Sequence, residues 1–195
     1  LTSETIGVKG EADVALDVAR TVHGPIILRL DNGPGIAIAR AFAPADLPQG
    51  PGALLAAARA RSGAELLAAW SHYAGPSVNV CWADVTGAIG VKVAGAIPRR
   101  LAGDGRFPVP GWTGAYDWNG AIEADALPSI TAPEIGLVAT ANDDWSVSGQ
   151  RLPYPGFFAN ADRARRAREL GSALAAATVA DMRTMQTDVF SPYAA

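Results

Sequence analysis

Gly136-Leu137-Val138-Ala139-Thr140-Ala141-Asn142-Asp143-Asp144-Trp145 is the stretch around which this chain is organised. Leu137 to Ala141 are small and apolar and read as a short strand, and Asn142 stands at its end. A polar amide at the mouth of an apolar strand can present a fixed hydrogen-bond donor to a reacting oxygen. The same residue can simply start a turn, because Asn bonds its own backbone and tolerates turn geometry. The local pattern leaves both readings open. Beyond Trp145, a loop broken by Pro153, Pro155 and Gly156 leads to a basic helix that opens near Asp162 and Arg163.

Outward from this point the composition sets limits. At 195 residues and 49% apolar content, the chain is long enough for one domain with a core. Its 21 Gly and 14 Pro describe a loop-rich globular chain rather than a disordered one. The formal charge of −3 supplies no broad basic field, which argues against a nucleic-acid surface. No apolar run approaches the roughly 18 residues of a membrane span. Cys81 is the single cysteine and lies in the apolar run Val78 to Ala83, so a buried, unreactive thiol is expected. The chain starts at Leu1 inside what already reads as a strand, as expected of a piece of something longer.

Alternation over Ile6 and Val8, and again over Val14, Leu16 and Val18, predicts a hairpin with one buried face. Pro25 to Leu30 and the segment from Ile36 to Phe42 add strands across the turn signal Asp31-Asn32-Gly33. Strands thus fill residues 4–42 as an antiparallel arrangement. His23, at a strand junction with no second base near it in sequence, reads as a hydrogen-bonded structural residue.

A helix pair is expected over 53–73, the second helix opened by Ser62-Gly63-Ala64-Glu65 as a capping box. A hairpin follows over 78–95, its first strand apolar enough to be covered on both faces. Residues 97–133 lose all period and read as a long ordered loop. After the strand at 136–142 come C-terminal helices within 161–190. Arg165, Arg166 and Arg168 are expected on a solvated face, and Met182, Met185 and Val189 as a buried stripe. The residues alone therefore give an α+β domain with one well-placed amide donor and no nucleophile. Phosphate-cradling loops, His-Glu metal helices and Gly-x-Ser-x-Gly elbows are all missing.

Several segments taken together resemble the β-subunit of the penicillin amidase family of N-terminal-nucleophile acylases. They are Arg20-Thr21-Val22-His23-Gly24-Pro25, Asn79 with Ala83-Asp84 and Gly87-Ala88-Ile89-Gly90, and Gly95-Ala96-Ile97-Pro98-Arg99. Further along are Gly103 to Gly111, Tyr116-Asp117-Trp118, Gly136 to Asn142 and Ala161-Asp162-Arg163. The resemblance implies a portion of a four-layer αββα sandwich and hydrolysis of a small-molecule amide. The implied nucleophile is a Ser exposed by self-cleavage, upstream of Leu1, so that this fragment alone is inactive. It implies Asn142 as a catalytic oxyanion donor, Arg163 beside it as orienting cation, and Val78 as part of the apolar acyl pocket. The implied partners are the α-chain and the remainder of the β-chain of the same precursor, and the implied location is periplasmic or secreted. A structural calcium occurs in some members but is not assigned here, and no other cofactor is implied. Two positions depart from the family pattern: Trp82 stands for Tyr in Tyr-Ala-Asp, and Asp143 for the second Asn of an Asn-Asn pair. An acid beside the donor is expected to alter substrate preference or weaken turnover. The rival expectation is a non-catalytic structural or interaction domain of a degenerate homologue.

Overall fold

The computed structural model describes residues 1–31, 33–41, 49–144 and 158–194. All strand pairings in it are antiparallel. β1 (Thr2–Ile6) pairs with β2 (Val14–Val18), with Thr2 opposite Val18 and Ile6 opposite Val14. β3 (Arg20–Thr21), β4 (Gly24–Leu28) and β5 (Ile36–Ala37) form a second sheet in that order. The N-terminal strands are thus split between two small sheets. The expected buried face of the first hairpin is not found: Ile6, Val14 and Leu16 are each close to half exposed, and no described element lies over them.

The core sits in the third sheet, ordered β10 (Ser129–Thr131), β7 (Ile89–Ala94) and β6 (Val78–Ala83). β7 lies between the other two and is buried from Gly90 to Ala94, whereas β6 is an edge strand with only Trp82 buried. The prediction of a doubly covered strand therefore falls on β6 and the property belongs to its partner. Central position, not apolar content, decides coverage. Even Lys92 is 7% exposed, its Nζ donating to the Ala124 carbonyl at 2.9 Å. Cys81 points away from the buried face and is exposed, which corrects the expectation of a buried thiol. What burial it has still raises its pKa, so the unreactive half of that expectation is consistent with its surroundings.

The helix pair is α1 (Gln49–Arg59) and α2 (Gly63–Ser71). Ser62 Oγ accepts the Glu65 N–H at 3.2 Å, while the Glu65 carboxylate reaches back to the Arg61 N–H at 2.8 Å. The box thus closes one residue early. α2 lies on the sheet because Gly63 has no side chain: a Cβ there would fall 2.3 Å from the Trp82 ring.

Residues 97–133 are more regular than their sequence. β8 (Pro98–Arg100) pairs with β9 (Trp118–Ala121), and β10 extends the core sheet. These strands are three or four residues long and one begins with proline, too short to show an alternation. Val93, Ile97 and Leu127 close the apolar core beneath them, with Ile122 against it. His23 is tied into this region, its Nε2 lying 2.8 Å from Asp117 Oδ1. That is the structural role read from the sequence.

Two helices end the described chain, α3 (Asp162–Ser172) and α4 (Val179–Gln186), the latter opened by a Thr178/Asp181 capping box. The expected buried stripe on α4 is absent. Met182 is 40% exposed and Met185 only half-buried, and Val189, beyond the end of the helix, is 94% exposed. Among the described residues no helix is long and apolar enough to cross a membrane.

Candidate active site

Residues 136–142 carry no strand ladder among the described residues. The segment's backbone bonds are those at its two ends, Gly136 N–H to the Pro133 carbonyl and Ala159 N–H to the Asn142 carbonyl, in place of the strand expected there. What fixes it is α3. Gly171 lets that helix come so close that a Cβ would stand 2.8 Å from Leu137 Cδ1, and Ala164 beside it is fully buried. On the opposite side, Asn79 Nδ2 of β6 donates to Thr140 Oγ1 at 2.7 Å.

Asn142 has φ +63°, the left-handed region, so the turn-forming reading is correct as far as its backbone goes. The donor reading is not thereby excluded, because the side chain is exposed and its orientation is fixed. Arg163 Nη2 donates to the Ala141 carbonyl at 2.8 Å and to Asn142 Oδ1 at 3.0 Å. A guanidinium has donors only, so the carboxamide atom facing it must be the oxygen. Nδ2 consequently points away from Arg163, and among the described residues it has no acceptor. The Asn142 carbonyl accepts the Ala159 N–H at 2.7 Å, which ties the turn to the chain entering α3.

Asp143 is turned the other way. It is 2% exposed, its Oδ1 accepts the Ala141 N–H at 3.0 Å, and its Oδ2 pairs with Arg168. Burial pushes its pKa up, but the Ala141 N–H and the Arg168 guanidinium outweigh that and hold the carboxyl below its ordinary range. The acid beside Asn142 is thus ionised, buried and paired within the protein. Its partner Arg168 is 42% exposed, so the solvated face expected of it holds in part, with its guanidinium turned inward to the carboxylate. Arg166 also departs from that expectation: it makes two bonds to Asp188, at 2.9 and 3.2 Å, and lies 4.9 Å from the Phe190 ring centroid. Arg165 is solvent-exposed and paired with Asp162.

The structure brings Asn142 and Arg163 together. Val78, half-buried at the start of β6, is next to Asn79 but is not part of that bonded group. Sequence reasoning singled out Asp143 only as a departure from the family pattern and missed its pairing with Arg168. The only signal for them was an acid and a base flanking a proline-rich loop, and no local period connects them. Among the described residues no three His, Cys, Asp or Glu side chains gather as metal ligands. Asp104 accepts the Arg106 N–H at 3.0 Å.

Comparison with known proteins decides the family. A family model described as penicillin amidase matches residues 1–195. The chain belongs to the penicillin amidase family. Similar curated members include a penicillin acylase 2 proenzyme from Pseudomonas sp. strain SE83, 32% identical over 97% of this chain and 24% of that protein. An acyl-homoserine lactone acylase QuiP from Pseudomonas aeruginosa is 28% identical over 98% of this chain and 24% of that protein. Among solved structures, a thermostable penicillin G acylase from Alcaligenes faecalis superposes with a TM-score of 0.79 at 28% identity. It covers 94% of this chain and 33% of that one. The α+β architecture is accordingly that of the penicillin acylase fold, and the chain spans about a quarter of the length of these curated relatives.

Proposed function

We propose that the protein carrying this chain is an acylase that hydrolyses an amide bond of a small molecule and releases a carboxylic acid. Membership in the penicillin amidase family implies amide-hydrolase chemistry. The finer assignment is that a Ser nucleophile outside this chain attacks the carbonyl while its own α-amine takes the hydroxyl proton. The carbonyl oxygen becomes an oxyanion, and the Asn142 Nδ2–H donates to it. Collapse expels the amine, which receives the proton, and water then releases the acid from the acyl-enzyme. Arg163 holds Asn142 Oδ1 and adds positive charge beside the developing anion. Val78 contributes to the apolar acyl pocket. The chain is inactive without the rest of the β-chain and the α-chain, and the assembled enzyme is periplasmic or secreted.

The observation that carries this reading is the orientation of the Asn142 amide. An exposed carboxamide on a left-handed turn is normally free to rotate, and here an arginine engages its oxygen so that the donor end is presented outward. The substrates named for the relatives, a penicillin and an acyl-homoserine lactone, share an amide between an acyl group and a compact amine-bearing ring. The test is Asn142→Ala in the intact, correctly processed protein. Losing one oxyanion donor is expected to cost about 3 kcal/mol of barrier, seen in kcat with KM little changed. Unchanged amidase turnover would remove Asn142 from the mechanism. Absence of Ser, Cys or Thr at a self-cleavage point upstream would favour a non-catalytic homologue.

A further inference from the structure

The Asn142 segment is held by one helix at several points, and only the Arg163 contact involves the proposed donor directly. Arg163 and Arg168 are five residues apart on α3, about 7.5 Å along its axis. Both reach into the same short segment, Arg168 at its outer positions and Arg163 between them. Arg163 takes the Ala141 carbonyl and Asn142 Oδ1, and Arg168 takes Asp143 and, more weakly at 3.5 Å, the Ala139 carbonyl. The Asp143 carboxylate meanwhile accepts the Ala141 N–H at 3.0 Å. Among the described residues there is no ladder, so these bonds do for the segment what strand pairing does elsewhere. They fix the residue before Asn142 and the residue after it.

Burial separates the two arms. The Arg163 bonds are exposed to water, whereas Asp143 is 2% exposed. A contact whose partners are both exposed defines an orientation but yields easily; a carboxylate that water barely reaches keeps hold of its cation even though, as at Arg168, that cation is itself 42% exposed. We infer that Asp143 and Arg168 are positioning residues for the Asn142 carboxamide, a closed ion pair that clamps the left-handed turn against α3 so that Arg163 meets the amide in one orientation. The inference rests on the reading of Asn142 as oxyanion donor. It assigns function to the position where this chain carries an acid in place of the family's second Asn. The negative charge works through the backbone that it anchors and does not touch the reacting atoms.

The test is a set of variants in the intact, processed protein, with kcat and KM measured on one amide substrate and thermal midpoints recorded alongside. Misplacing a catalytic group by about 1 Å can cost roughly 100-fold in rate. Arg168→Met is therefore expected to lower kcat by about 10- to 100-fold with KM within about twofold, and Arg168→Lys to recover part of the loss. Asp143→Asn should also lower kcat, because an amide can satisfy the Ala141 N–H or the guanidinium but not both. The decisive arm is the double variant Asn142→Ala/Arg168→Met. If Arg168 acts through Asn142, the double variant is no slower than Asn142→Ala alone. Multiplicative losses would overturn the inference. So would a kcat loss that follows thermal midpoint on the same line as Val93→Ala, a core change elsewhere. Should Arg168→Met fail to fold, Arg168→Lys and Asp143→Asn decide, and kcat within about twofold of wild type in both overturns the clamp. An active Asn142→Ala variant sinks the site reading itself, whereas an inactive one with unaffected Arg168 variants sinks the clamp alone.

Discussion

The central strand β7 and the segment ending at Asn142 are both short, mostly apolar stretches, yet they are fixed by different forces. β7 is bonded on both edges, to β6 and to β10, and its side chains from Gly90 to Ala94 are buried. Each residue there is held redundantly, by its own ladder bonds and by packing. The 136–142 segment has no ladder among the described residues and depends on side chains of α3 and on Asn79. Ladder bonds use groups that every residue possesses, so β7 tolerates changes in side-chain chemistry. The 136–142 segment relies on a few named side chains and is vulnerable at each.

The sharpest way to break this contrast is Arg168→Met, which strands a nearly inaccessible carboxylate without its cation. A loss of about 3 kcal/mol is expected, read from the thermal midpoint, together with loss of activity. Asp143→Asn should cost less, about 1 kcal/mol, because it leaves behind only a guanidinium that is 42% exposed and retains its water. Equal costs for the two would show that burial of the carboxylate is not what matters. Val93→Ala, in the ladder-held region, should destabilise by about 2 kcal/mol through a cavity, with kcat unchanged. Next comes pH. The Asp143 carboxyl titrates lower in the folded chain than unfolded, so its stabilisation is complete above the ordinary carboxylate range. It is lost as pH falls through the depressed folded value. The midpoint of wild type should therefore drop more steeply on acidification than that of Asp143→Asn. The smallest effect belongs to the helix pair: Ser62→Ala should cost about 1 kcal/mol through the lost bond to Glu65 N–H, leaving activity alone.

The boundary between what was legible and what was not follows the range of the interactions. The hairpin at 78–95 announces itself because β-branched runs flank an Asp-Val-Thr-Gly turn, and in the structure Asp84 bonds Thr86 and Ala88 across it. The helix starts at Ser62 and Thr178 are legible because capping depends on residues three apart. Coverage misled. Cys81 and the first hairpin are apolar enough to be core, but whether such a face is buried depends on what lies over it, and both are exposed. Asn142 stood out as a polar residue ending an apolar run, and its pairing with Arg163 came through resemblance to a family rather than through any local pattern.

By itself the sequence determined the local grammar: antiparallel strands between turn signals, capped helices, an amide at the end of an apolar run, and enough dispersed motifs to point to the family. The tertiary structure alone decided which end of that amide Arg163 engages, that the neighbouring acid faces inward, and that an arginine 25 residues away closes on it. The reason is distance along the chain. Periodicity and capping act within a few residues and leave a mark in composition, whereas an ion pair across a loop is set by how a helix docks, and docking leaves no local trace.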